Sequence, residues 1–437
     1  MITVISPFRS PRLEYALDFV FGEFLRIPHA LKTEGESIDA ESFVVAYGID
    51  LPGGARGIRV PDAGLCAERG LRQSLPEVGD RDGLPLVFAE EGDSMFECDV
   101  FSLAFFVLSR YEEYLIRNRD EHGRFSSEQS RFSTYLDKPY LDLWLLRFEN
   151  RLRKMGAPVS AQPRPLRWNN TVDVDIAYAF RGRGVVRRWG SAVKDLAAGD
   201  WKRLKLRRKV LGGHADDPYD TYAYISEVAA DADQNHVFML VGERSGYDIN
   251  LDLSNELMQD LARRLKTTFT VGLHPSYKSL EEPERIGAEL ALLEETLGEK
   301  VKASRQHFLR FALPHTFAHL AKAGIERDYS MGYHDRIGFR SGTGFPHDFY
   351  DPVSDTRPGI RLVPLHAMDS AMKVYSGLRP SEALDAMIAL YESQRATGGL
   401  FTTVWHNHSL SDFGEWAGWK AVFEGFADHV RETRING

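Results

Sequence analysis

Short apolar runs alternate with helical stretches through the second half of the chain. The segments "NNTVDVDIAY", "HVFMLVG", "FTVGLHP", "ASRQHFLR", "RDYSMGY", "IRLVPL" and "LFTTVWHN" have strand length and are rich in β-branched and aromatic residues. Between them, "NELMQDLARRLK" and "PERIGAELALLEETLG" space their apolar residues three and four apart, as a helix laid on a core requires. "SEALDAMIALYESQ" does the same near the end. Strand and helix in this repeating order predict a parallel sheet, and about seven strands favour a closed or nearly closed barrel over an open sheet.

The first half reads as a separate, smaller α/β unit. "VFSLAFFVLSRYEEYL" (100–115) predicts one helix packed hard on a core, ended by the polar, glycine-containing "NRDEHGRFSSEQS". No metal-ligating residue types gather here at useful spacing, so the expectation is a structural or substrate-presenting domain. "KMGAPVSAQPRPLRW" reads as the connection, giving domains 1–160 and 166–437. A chain of 437 residues exceeds what one hydrophobic core usually serves, which agrees with two units.

Composition then narrows the chemistry. The only cysteines, Cys66 and Cys98, stand in no metal-binding spacing, so any metal must be held by His, Asp or Glu. A net charge of −9 argues against a nucleic-acid binder. One segment departs from this: residues 181–209 carry eleven Lys and Arg against two Asp. A solvated helical insertion is the favoured reading, with peripheral contact to anionic lipid or a phosphate-linked sugar precursor as the sharper one. No apolar stretch reaches the roughly 18–20 residues of a spanning helix and the start shows no secretory pattern, so a soluble, cytoplasmic protein is expected.

Unusual polar residues recur at the C-terminal ends of the predicted strands, where a parallel barrel builds its active site. They are Asp173 and Asp175, His274, Arg305 and His307, Asp328, His366, and His406 with His408. Residues i and i+2 of a strand share a face, so Asp173 and Asp175 point the same way, as do Arg305 with His307 and His406 with His408. Each alone is weak, since a lone His is more often structural. Two carboxylates on one buried strand are costly unless a cation or hydrogen-bond donors compensate them.

At these residues the chain resembles the polysaccharide deacetylase family, the NodB-homology group of carbohydrate esterases, and its first half resembles the accessory domain of one bacterial branch. The resemblance implies a distorted (β/α)7 barrel after a smaller N-terminal α/β domain. It makes Asp173 of "TVDVD" the general base and Asp175 a ligand of a divalent metal, most often zinc. In "GLHPSYKS" His274 matches the first His of a ligand pair, but Lys278 stands where the second should be. In "SRQHF" Arg305 matches the motif's arginine, and His307 is placed to supply the missing ligand. The same resemblance implies Asp328 of "DYSMGY" as the residue orienting a catalytic His. His406 of "TTVWHN" becomes the general acid, with His408 its rival. Substrate contacts are expected from Tyr277, Lys278, Phe308 with its backbone N–H as oxyanion donor, and Arg340 in "GFRSGTGFPHDFYD".

The implied activity is metal-dependent N-deacetylation of an acetylated amino sugar. Two other readings stay open: a glycoside hydrolase with paired carboxylates, and an inactive carbohydrate-binding barrel, for which Lys278 is the main support.

Overall fold

A computed structural model of the protein describes residues 1–39, 41–89, 95–159, 163–182 and 199–435. The N-terminal unit is built on a parallel sheet of β1 (Ile2–Ser6), β2 (His29–Thr33), β3 (Phe43–Tyr47) and β4 (Gly57–Val60), ordered β2-β1-β3-β4. A small antiparallel hairpin, β5 (Gly79–Arg81) and β6 (Leu84–Leu86), flanks it. Against the sheet pack α1 (Pro11–Leu17), α2 (Val100–Leu108) and, beyond a break, α3 (Tyr111–Leu115) and α4 (Tyr140–Lys154). Every residue of α2 is buried, as its uniformly apolar composition demands.

The helix predicted over 100–115 is two helices. Arg110 sits between them at φ 53°, in the left-handed region that ends a helix. The break turns the Arg110 guanidinium inward onto Glu112 and Glu113, at 2.8 Å each.

The larger unit forms a nine-stranded curled sheet. Seven parallel strands make its body: β7 (Leu166–Val174), β8 (Gln234–Leu240), β9 (Thr270–His274), β10 (Ala303–Ser304), β11 (Arg327–Met331), β13 (Arg361–Pro364) and β15 (Gly399–His406). They lie in the order β13-β11-β10-β9-β8-β7-β15. The short β12 (His347–Asp348) and β14 (Ala367–Met368) form the two edges. This is the distorted (β/α)7 barrel expected, and all seven predicted runs supply a strand. β10 is the exception in length: only Ala303 and Ser304 pair, and a single 3-10 turn, His307–Leu309, follows.

The barrel is incomplete as a ladder between β13 and β15, and His366 spans the gap. Its backbone N–H donates to the Thr402 carbonyl, and its Nδ1 accepts from the Thr402 N–H, both at 3.0 Å. Burial pushes the pKa of this imidazole down to about 3, so the ring is the neutral acceptor its place requires.

Helices α6 (Tyr222–Val228), α7 (Glu256–Leu265), α8 (Glu284–Leu297), α9 (His315–Ala323), α10 (Pro380–Ser393) and α11 (Trp419–Ile435) pack on the strands' outer faces. On β7, Trp168, Val172 and Val174 face this helical layer, so Asn169, Thr171 and Asp173 face the barrel interior. Beneath Asp173 the interior is filled by Phe238, Ala303, Tyr329, Val363 and Leu400. Gly272 on β9 leaves room for the Phe238 ring, since a Cβ there would lie 2.5 Å from it.

Of the basic segment 181–209, residues 183–198, with Arg187 and Arg188, lie outside the described residues. The rest includes α5 (Trp201–Leu211), where Arg207 packs over Phe180. Among the described residues no helix is long and apolar enough to cross a membrane.

The two units share a core. Tyr333, Phe345 and Tyr350 of the barrel are buried in the apolar cluster of the N-terminal unit. Cys66 and Cys98 are both free and buried there, and burial pushes both thiols up.

Candidate active site

The register of the parallel strands brings the polar residues together. In the β15/β7 ladder His406 lies directly opposite Asp173, and β9 ends on His274. Asp175 stands one residue past the end of β7, on the face of Asp173. All five line one cavity of about 300 Å³ when His307 is added from the turn after β10.

Asp173 is fixed by Arg305, whose Nη1 donates to its Oδ1 at 2.7 Å. The guanidinium itself is fully buried, held by the Tyr329 carbonyl at 3.1 Å and laid over the Phe238 ring. Arg305 is therefore a holder of the carboxylate beneath the cavity floor.

Asp175 sits among three imidazoles. Its oxygens are 3.2 Å from His274 Nε2, 3.7 Å from His307 Nε2 and 3.4 Å from His406 Nε2. Burial alone would raise the Asp175 carboxyl, but the three rings, His307 foremost, hold it well below the usual carboxylate range.

Each ring is oriented through its other nitrogen. His274 Nδ1 donates to the Arg305 carbonyl at 2.5 Å, and His307 Nδ1 to Asp248 Oδ1 at 2.9 Å. Asp248 is in turn held by the Tyr277 backbone N–H and the Ser245 hydroxyl. His406 Nδ1 donates to Asp369 Oδ1 at 2.7 Å. All three Nε2 atoms consequently face the cavity. Burial works against charge on His307 and His406, yet neighbouring carboxylates outweigh it and push them up to about 9 and about 10.

Asp175, His274 and His307 offer three ligand atoms within 4.8 Å of one another. The donor set fits a divalent metal. Asp175 Oδ1 is buried without a hydrogen-bond partner, an acceptor that a cation would satisfy. Two of the rings carry the outer hydrogen bonds to a carbonyl and a carboxylate that metal-binding imidazoles characteristically make.

Other expected residues fall elsewhere. Asp328 does not orient His406: it is buried on β11, accepting from the Ser304 hydroxyl of β10 at 2.7 Å and the Ser330 N–H at 2.8 Å. Asp369, just after β14, takes that place. Arg340 does not face the cavity; its charge is drawn into the domain interface by Glu113, at 2.6 Å and 3.0 Å, and by the Gly332 carbonyl. Lys278 is exposed and is not among the cavity residues, whereas His307 lines the cavity beside Asp175 and His274. Tyr277 lies behind Phe308 rather than on the cavity, stacked on Tyr247 with centroids 4.1 Å apart. Phe308 lines the cavity wall. His408 lines it too, but burial and the adjacent His406 push it down to about 4, so it is neutral where His406 is charged.

Four contributors were not anticipated. Asp248 and Asp369 are single aspartates in loops, without a strand-end pattern to mark them. Tyr375 forms part of the rim. The fourth, Arg124, comes from the N-terminal unit, for which the sequence predicts a structural or substrate-presenting domain.

Residues 2–157 match a family model described as "Family of unknown function (DUF7033)". No curated protein matches the chain. Solved structures similar to it include a protein from Mycobacterium smegmatis described as a polysaccharide deacetylase, at 16% identity and TM-score 0.40, covering 64% of this chain and 95% of that one. Another from Pseudomonas aeruginosa PAO1, described likewise, has 11% identity and TM-score 0.38 over 64% and 91%. A polysaccharide deacetylase of Bacillus cereus has 11% identity and TM-score 0.29 over 61% and 89%.

Proposed function

We propose that this protein is a metal-dependent hydrolase that removes the N-acetyl group from an acetylated amino sugar of a polysaccharide or its precursor. The observation that carries this reading is the convergence, in one cavity, of a three-residue ligand group with a positioned carboxylate and a positioned imidazole. Asp175, His274 and His307 would hold the metal. When bound, a zinc ion supplies Lewis-acid polarisation of the amide carbonyl and lowers the pKa of a water.

The remaining chemistry belongs to the side chains. Asp173, aimed by Arg305, accepts the proton of the attacking water. His406 is charged and has its Nε2 toward the cavity, so it donates a proton to the departing amine, a leaving group too basic to depart unprotonated. Asp369 keeps that ring in the donating orientation and stabilises its charge. Met368, Leu309 and Trp416 give the cavity an apolar wall for the acetyl methyl, and Phe308 and Tyr375 an aromatic rim suited to a sugar ring.

The geometry disfavours glycoside hydrolysis. The two carboxylates there flank a sugar from opposite sides, whereas Asp173 and Asp175 both lie within 3.9 Å of the single His274 Nε2. Elemental analysis of the purified chain tests the reading: about one equivalent of zinc or another divalent metal is expected, lost in Asp175→Asn. A chain that takes up none from solution contradicts it.

A further inference from the structure

The N-terminal unit, which matches a family model described as of unknown function, reaches the cavity. We infer that its Asp120–Arg124 loop is a working part of the barrel's active site, a clamp that fixes the turn carrying His307. The inference rests on the reading of His307 as a metal ligand.

The turn needs a clamp. Phe308 and Leu309 have φ of 60° and 54°, two successive side-chain-bearing residues in the left-handed region. Such a backbone persists only where its surroundings over-determine it. Its first residue is His307, so any relaxation of the turn swings the imidazole relative to Asp175.

The loop is prefolded around one carboxylate. Asp120 accepts from the N–H groups of His122 and Arg124, at 3.0 Å and 2.8 Å, and from the Arg124 guanidinium at 2.7–2.8 Å. From there two guanidinium groups cross between the units in opposite directions. Arg124 Nη1 donates to the Phe308 carbonyl at 3.2 Å, and Arg310 Nε donates to the His122 carbonyl at 2.7 Å. Both arginines are buried, at 5% and 7% side-chain exposure. The strained pair is therefore pinned at the carbonyl inside it and at the residue following it.

The same loop reaches the opposite wall. Arg124 Nη2 donates to the Tyr375 hydroxyl at 3.1 Å, and Asp120 Oδ2 lies 3.3 Å from His334 Nε2. Phe308, His334 and Tyr375 all line the cavity. One loop of the N-terminal unit thus ties the ligand-bearing turn to the far rim, and Arg124 is a positioning residue acting through Phe308.

An ordinary domain contact would stabilise the fold without tuning the metal site. Zinc affinity, measured by chelator competition on the full chain alongside a thermal melt, separates the two. Arg124→Ala should weaken zinc binding about 10-fold, the low end of the range for losing a direct hydrogen-bonding partner of a metal ligand, since Arg124 acts one residue removed from His307. Arg124→Lys, which cannot hold Asp120, the Phe308 carbonyl and Tyr375 at once, should also weaken it while preserving charge and fold. Arg361→Ala cuts another contact between the units, to Glu23 at 2.6 Å, and should leave zinc affinity unchanged. Wild-type affinity in a folded Arg124→Ala or Arg124→Lys protein overturns the clamp. A wild-type chain that binds no zinc overturns the metal reading, and the clamp with it.

Discussion

Asp369 Oδ1 lies 2.7 Å from His406 Nδ1, and the second oxygen of the same carboxylate accepts the His406 backbone N–H at 2.8 Å. Burial alone would raise the Asp369 carboxyl, but His406 and the Ser409 hydroxyl hold it below the usual carboxylate range. The pair is an anion locked to the ring whose charge it supports.

From this pairing, Asp369→Asn should lower deacetylation by about 10²- to 10⁴-fold, the range assigned to a positioned proton donor. Asp328→Asn, remote from the ring, should cost less than about tenfold in rate by the same measure. Initial rates of acetate release compare the two. Equal losses would return Asp328 to the catalytic group.

The domain interface gives a stability prediction. Glu113 lies between Arg110 and Arg340, all three buried, and although burial opposes its charge the two guanidinium groups pull its carboxyl down to about 2. Glu113→Ala leaves the buried Arg340 without a carboxylate, Arg110 keeping Glu112, and should destabilise the chain by about 3–5 kcal/mol. A shift of the urea unfolding midpoint reads this out; an unmoved midpoint would mean that water screens the pair.

Asp142 on α4 gives a pH dependence away from the active site. Burial pushes its pKa from the ordinary 3.8 up to about 7. The folded chain thus keeps a proton that the unfolded chain releases. The associated stability is full below the unfolded value and is lost as pH rises through about 7. Asp142→Asn keeps an acceptor for the Gly344 N–H and should flatten that decline. Thermal melts between pH 5 and 8 test it, and parallel curves for the two proteins would refute it.

The seven barrel strands were legible because strands buried on both faces give unbroken apolar runs. The ends of those runs also marked Asp173, Asp175, His274 and His307. What escaped was carried by contacts remote in sequence. Asp248 in "SGYDIN" and Asp369 in "AMDS" look like ordinary turn formers, and only the fold sets them behind His307 and His406. Arg124 meets Phe308 across 184 residues. Asp328 misled for the converse reason: it lies near the start of β11 rather than at its C-terminal end, and two serines satisfy it there. Arg340 misled because a lone arginine in a glycine-rich loop gives no sign that Glu113, 227 residues earlier, is its partner.

The central claim is that Asp173 accepts a proton beside a metal held by Asp175, His274 and His307. Acetate release from N-acetylglucosamine oligosaccharides by the zinc-loaded chain, wild type against Asp173→Asn, tests it most directly. The account predicts acetate from the wild type, abolished by chelation, and a loss of about 10²-fold or more in the variant with zinc still bound. Acetate released equally by both proteins, or new reducing ends without acetate, would contradict it.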